Sequence, residues 1–85
     1  MDVGEMVNID LSGIDLSDSD LSEIEMKGIN LTGANLRNTS FGQSWLTNAN
    51  FSGADLTGAS LSFASLSGTN FTNAKLTGAD SRRLI

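Results

Sequence analysis

From position 6 to position 76 every fifth residue is large and apolar: Met6, Leu11, Leu16, Leu21, Met26, Leu31, Leu36, Phe41, Leu46, Phe51, Leu56, Leu61, Leu66, Phe71 and Leu76. Calling that residue i, the i−2 column reads Ile9, Ile14, Ser19, Ile24, Ile29, Ala34, Thr39, Ser44, Ala49, Ala54, Ala59, Ala64, Thr69, Ala74 and Ala79, small or aliphatic throughout. An α-helix turns about 100° per residue, so a period of five would smear these side chains around its circumference. The abundant Gly, Ser, Thr, Asn and Asp also oppose a helix. A plain strand fails too, because i−2 and i alternate only briefly before the next two positions break the phase. What fits is a very short extended segment with i−2 and i inward, then a turn at i+2. There Gly or Asn recurs: Gly13, Gly28, Gly33, Asn38, Asn48, Gly53, Gly58, Gly68, Asn73 and Gly78. A chain that turns after every five residues winds into a solenoid.

The 85 residues make one small domain, whose core is only modestly stabilising without a regular fold or a partner. Cys, His, Tyr and Pro are absent, which excludes disulfides, Cys/His zinc sites and histidine acid/base chemistry. The start MDVGEM has neither the basic region nor the apolar run of a signal peptide, and no segment is long enough to span a membrane, so a soluble, cytoplasmic protein is expected. Of the net charge of −5, most of the acid precedes Lys27, while Lys75, Arg82 and Arg83 lie near the other end. Without a basic stripe, direct nucleic-acid binding is not expected. An acidic surface suits a basic partner instead.

The runs INLTGANL, ANFSGADLTGASL and TNFTNAKLTGAD resemble the A(D/N)LXX signature of the pentapeptide-repeat family over nearly the whole chain. The resemblance implies an all-β fold: a right-handed quadrilateral β-helix of about four coils over residues 1–80, with 81–85 as a tail. At ~4.8 Å between stacked strands, four coils would form a rod roughly 20 Å long. Residues twenty apart then stack, with Asn30, Asn50 and Asn70 above Asp10 and with Phe51 beneath Phe71. Stacked asparagines can hydrogen-bond along the axis, as in cross-β ladders. Ile9, Ile14, Ile24 and Ile29, where later repeats carry alanine, would fill the bore near the first coil.

Trp45 and Phe63 are the most unusual outward residues, in an i−1 and an i+2 slot. In the coil register Trp45 lies under Ser65, two residues from Phe63, and Arg83 falls one coil above Phe63. Exposed Trp beside an aromatic and an Arg has the composition of an interface hot spot. Packing on one another, or shielding a turn, is the alternative reading. Asp10, Asp15, Asp20 and Glu25 point outward from successive sides, and Asp55 lies higher, so a convergent calcium or magnesium site is not expected. Leu84 and Ile85 would fold over the last coil or contact another chain.

No catalytic residues, cofactor or metal are expected, since no histidine activates the many hydroxyls and no glycine-rich phosphate loop opens a helix. The leading expectation is a non-catalytic structural or protein-interaction module, a rigid rod presenting a binding edge. The resemblance implies a second reading, because some family members imitate duplex DNA and bind type II topoisomerases such as gyrase. The third is a building block of a larger assembly, dimerising or stacking through its coil ends.

Overall fold

The computed structural model describes residues 6–82. In it, the residue at i−1 pairs in parallel with the residue twenty positions later, so the chain has four sides. The first side stacks Asp10, Asn30, Asn50 and Asn70, and the second Asp15, Asn35, Asp55 and Lys75. The third stacks Asp20, Ser40, Ser60 and Asp80, and the fourth Glu25, Trp45 and Ser65. Complete coils span 9–28, 29–48 and 49–68, and 69–82 begins the next.

Each pentapeptide of the coil 29–48 disposes of its five N–H groups in the same way. In residues 29–33, Ile29 N–H closes a turn onto Met26 O at 3.2 Å, Asn30 N–H reaches down to Ile9 O, and Leu31 and Gly33 N–H reach up to Asn50 and Ser52 O. The amide at i+1 is the one left over. At every described corner the residue at i+2 has positive φ while its predecessor does not, the sign pattern of a type II turn. The turn therefore forms even where the sequence offers Asp18, Glu23, Gln43 or Phe63 instead of Gly or Asn.

Some glycines answer a second demand. A Cβ at Gly58 would strike Oδ1 of Asn38, which lies in the coil below, and Asn48 sits in the same way under Gly68. At Gly53 the space is open, so only the left-handed backbone asks for glycine there.

The i and i−2 columns meet in the bore as the period requires, and from Met26 to Ala64 both are buried throughout. Phe51 packs edge-on to Phe41 at 5.5 Å and stacks on Phe71 at 5.3 Å, with the last two rings 5° from parallel. Where hydroxyls replace alanine they are satisfied: Thr39 donates to Leu16 O, Ser44 to Phe41 O and Thr69 to Leu46 O. Among the described residues no buried side-chain polar atom lacks a partner. Ile9, Ile14 and Ile24 are half-buried and pack against the core from the first coil. The extents of 33, 27 and 23 Å make a squat prism, so the expected rod is about as wide as it is tall.

A candidate binding edge on the fourth side

The leftover amide at i+1 explains the outward i−1 column. Oδ1 of Asp10, Asp15 and Asp20 accepts the N–H of Ser12, Ser17 and Ser22 at 3.0 Å. Asn30, Asn50 and Asn70 do the same for Thr32, Ser52 and Thr72. The axial asparagine ladder is not formed: no bond joins Asn30, Asn50 and Asn70, and each Oδ1 accepts an amide of its own coil, two residues away, which had no other acceptor. The column is a stack of local caps.

The same bonds set the acidity of this surface. Backbone and hydroxyl donation from Ser12 and Ser17 holds Asp10 and Asp15 below the usual carboxylate range, and for Asp20 the Ser22 hydroxyl contributes most. Asp55 is lowered to about 2, first by the Thr57 hydroxyl and amide and then by Arg37, which reaches it from the coil below at 3.2 Å. Asp80 is lowered to about 2 by a bidentate bond from Arg82. Asp10, Asp15, Asp20 and Glu25 occupy four different sides, as expected, and among the described residues no group of acidic side chains could hold a metal ion.

The fourth side departs from this scheme in every described coil, whereas on the other sides only the Ser62 and Thr77 amides lack a cap, above Ser60 and Lys75 in the i−1 slot. Among the described residues the amides of Lys27, Thr47 and Ser67 take no capping bond, for the i−1 slots hold Glu25, Trp45 and Ser65. Glu25 pairs with Lys27 at 3.3 Å, and Trp45, directly above it, is 47% exposed. The corner entering this side departs as well. Glu23, Gln43 and Phe63 stack there with φ of 59°, 60° and 61°, and of the four corners it alone shows neither Gly nor Asn among the described residues. Phe63 is 45% exposed, and Ser65, two residues on, bridges Trp45. The structure therefore brings Trp45 and Phe63 to one edge and adds Glu23 and Gln43, which sequence reasoning missed. Reading the i+2 column for what is not Gly or Asn could have found them. Arg83, Leu84 and Ile85 lie outside the described residues.

One further concavity opens at the end of the bore, about 290 Å³, lined by Leu61, Leu66, Phe71, Leu76, Ala79 and Ser81. No helix of the described residues is long and apolar enough to cross a membrane.

The model of the pentapeptide repeats family matches residues 9–48 and 44–80, in eight copies. No curated protein sequence matches the chain. Among solved structures, a pentapeptide repeat protein from the Arabidopsis thaliana thylakoid lumen is 36% identical with a TM-score of 0.91, over 96% of this chain and 58% of that one. Another from Nostoc Pcc 7120 is 34% identical with a TM-score of 0.62, over 91% of this chain and 57% of its own. This chain thus spans a little over half the length of either relative. QnrB1, a plasmid-mediated fluoroquinolone resistance protein, shares the fold with a TM-score of 0.55 at 21% identity, over 88% of this chain and 47% of that one. With a repeat model covering most of its length and a four-sided ladder in its backbone, the chain belongs to the pentapeptide repeat family and folds as its right-handed quadrilateral β-helix.

Proposed function

We propose that the chain is a non-catalytic interaction module that receives a protein partner on the edge formed by Trp45 and Phe63. One observation carries this reading: the two exposed aromatics of the fourth side each stand where a repeat rule of the fold is broken, and they share one edge. Trp45 forfeits the cap on the Thr47 amide, a hydrogen bond worth about 1 kcal/mol net. Phe63 holds a left-handed backbone that costs a residue with a Cβ roughly 1–2 kcal/mol. Asn and Gly would serve these slots better. Exposed aromatics kept at a loss of stability are what a binding surface shows, with Trp the residue type most enriched in hot spots.

The topoisomerase reading has less support. A DNA-like surface needs a continuous acidic strip, whereas above Asp10, Asp15 and Asp20 the ladders carry mostly Asn and Ser, and Asp55 is neutralised by Arg37. The likeness to QnrB1 is one of fold.

The test restores the regular pattern. Trp45→Asn/Phe63→Gly should fold more stably than the wild type yet lose a partner that the wild type captures from a cell extract at moderate salt. Equal capture by both forms would overturn the proposal. A topoisomerase held by both and released by salt would favour DNA mimicry.

A further inference from the structure

The fourth side carries its own complement. We infer that the chain dimerises through this side, two copies lying side by side and parallel about a two-fold axis that runs along the solenoid. This rests on the reading of the Trp45–Phe63 edge as a binding surface and names its occupant as a second copy of the chain. The protein that a tagged chain retrieves through the edge is then its own untagged copy.

Symmetry supplies the argument. A row of this side presents four outward positions in order, such as 43, 45, 47 and 48, with the row 23–28 below it and 63–68 above. A two-fold axis along the solenoid keeps each row level with its copy and reverses that order. The i−1 residue of one copy then faces the i+1 residue of the other, and the corner entering the side faces the corner leaving it. In an isologous contact of this kind every pairing occurs twice.

These three rows, in the middle of the chain, are complementary when reversed. Glu25 faces the second copy's Lys27 and Lys27 its Glu25, so the ion pair within one copy becomes a ring of four alternating charges. In the next row Trp45 faces the second copy's Thr47, whose amide takes no cap in its own chain, and Gln43 faces its Asn48. Above them Ser65 faces Ser67, and Phe63 lies over Gly68, which has no side chain to obstruct the ring. Glu23 meets Gly28 in the same way. Both exposed aromatics of the described residues are thereby covered, as the centre of a protein interface requires. An axis running across the solenoid would instead set Glu25 on Ser65, Lys27 on Ser67 and Glu23 on Phe63, leaving the charges without counterparts. Charge complementarity thus selects the parallel arrangement.

Sedimentation velocity across a concentration series tests this on the 85-residue chain. The wild type should pass from monomer to dimer and go no further. Glu25→Lys alone and Lys27→Glu alone should each weaken association by about tenfold or more, since each sets like charges across the axis. Mixed in equal amounts, the two variants should associate again, because every mixed contact pairs opposite charges. The double variant Glu25→Lys/Lys27→Glu should dimerise by itself. Trp45→Asn should weaken the dimer, with circular dichroism confirming that the fold is kept, whereas Asp10→Asn on the first side should associate like the wild type. A monomer at every concentration, growth beyond the dimer, or mixed variants that stay apart would overturn the inference. A monomer that captures a different protein, and loses it in Trp45→Asn/Phe63→Gly, would overturn the self-pairing alone and leave the binding edge standing.

Discussion

Leu36 and Leu76 occupy the same slot of the same side, two coils apart, yet Leu36 is wholly buried and Leu76 is 43% exposed. Their local sequences, NLRNT and KLTGA, ask for the same short strand and turn, and both obtain it. The difference is the neighbouring coil. In a solenoid the pentapeptide fixes its own conformation, but its burial comes from the coils above and below, so stability is a sum over neighbours.

The contrast is broken most directly by truncation. Leu36→Ala should destabilise by about 3 kcal/mol and Leu76→Ala by no more than about 1 kcal/mol, read as shifts of the urea midpoint. Equal losses would mean that the upper end is covered as fully as the middle. A smaller effect separates two corners. Gly53→Ala should cost roughly 1 kcal/mol for its left-handed backbone alone, whereas Gly58→Ala should cost more, because Asn38 must also move. In an Asn38→Ala background, the further change Gly58→Ala should cost only the Gly53 value. Phe63→Gly runs the other way, raising stability by roughly 1 kcal/mol.

The smallest effect is one of pH. Asp55 ties two coils together through Arg37, whereas Asp80 is held by Arg82 within a single turn, and both titrate at about 2. Their folded pKa values lie below the ordinary 3.8. The stability they contribute is therefore full above the ordinary value and lost as the pH falls through about 2. The Thr57 hydroxyl is the largest cause of the shift at Asp55, so Thr57→Val should raise its titration midpoint, followed by NMR, more than Arg37→Ala does. The reverse order would make the inter-coil ion pair the dominant support.

The period of five revealed the inward columns and the turns, because each depends only on spacing. The coil of twenty that the family resemblance implies placed Phe51 beneath Phe71 and Trp45 beneath Ser65. The capping role of Asp and Asn was hidden, for the orphan amide at i+1 is recognised only once the bonds between coils account for the other four. Amyloid-like ladders were the nearest precedent, and they misled about Asn30, Asn50 and Asn70. Glu23 and Gln43 were missed for a related reason: their left-handed backbone is imposed by the winding and not signalled by their own preferences.

The contact between Asn38 and Gly58 bears on how such a chain can change in length. It links residue choices twenty positions apart, so a whole coil such as 39–58 can be lost while Asn8 keeps Gly28 and Asn38 meets Gly78 in place of Gly58. A single repeat cannot. Deleting residues 39–43 would turn everything above by a quarter and carry Phe63 onto Asn38, where any Cβ collides. Histories of insertion and deletion in this chain should therefore favour blocks of twenty residues over blocks of five.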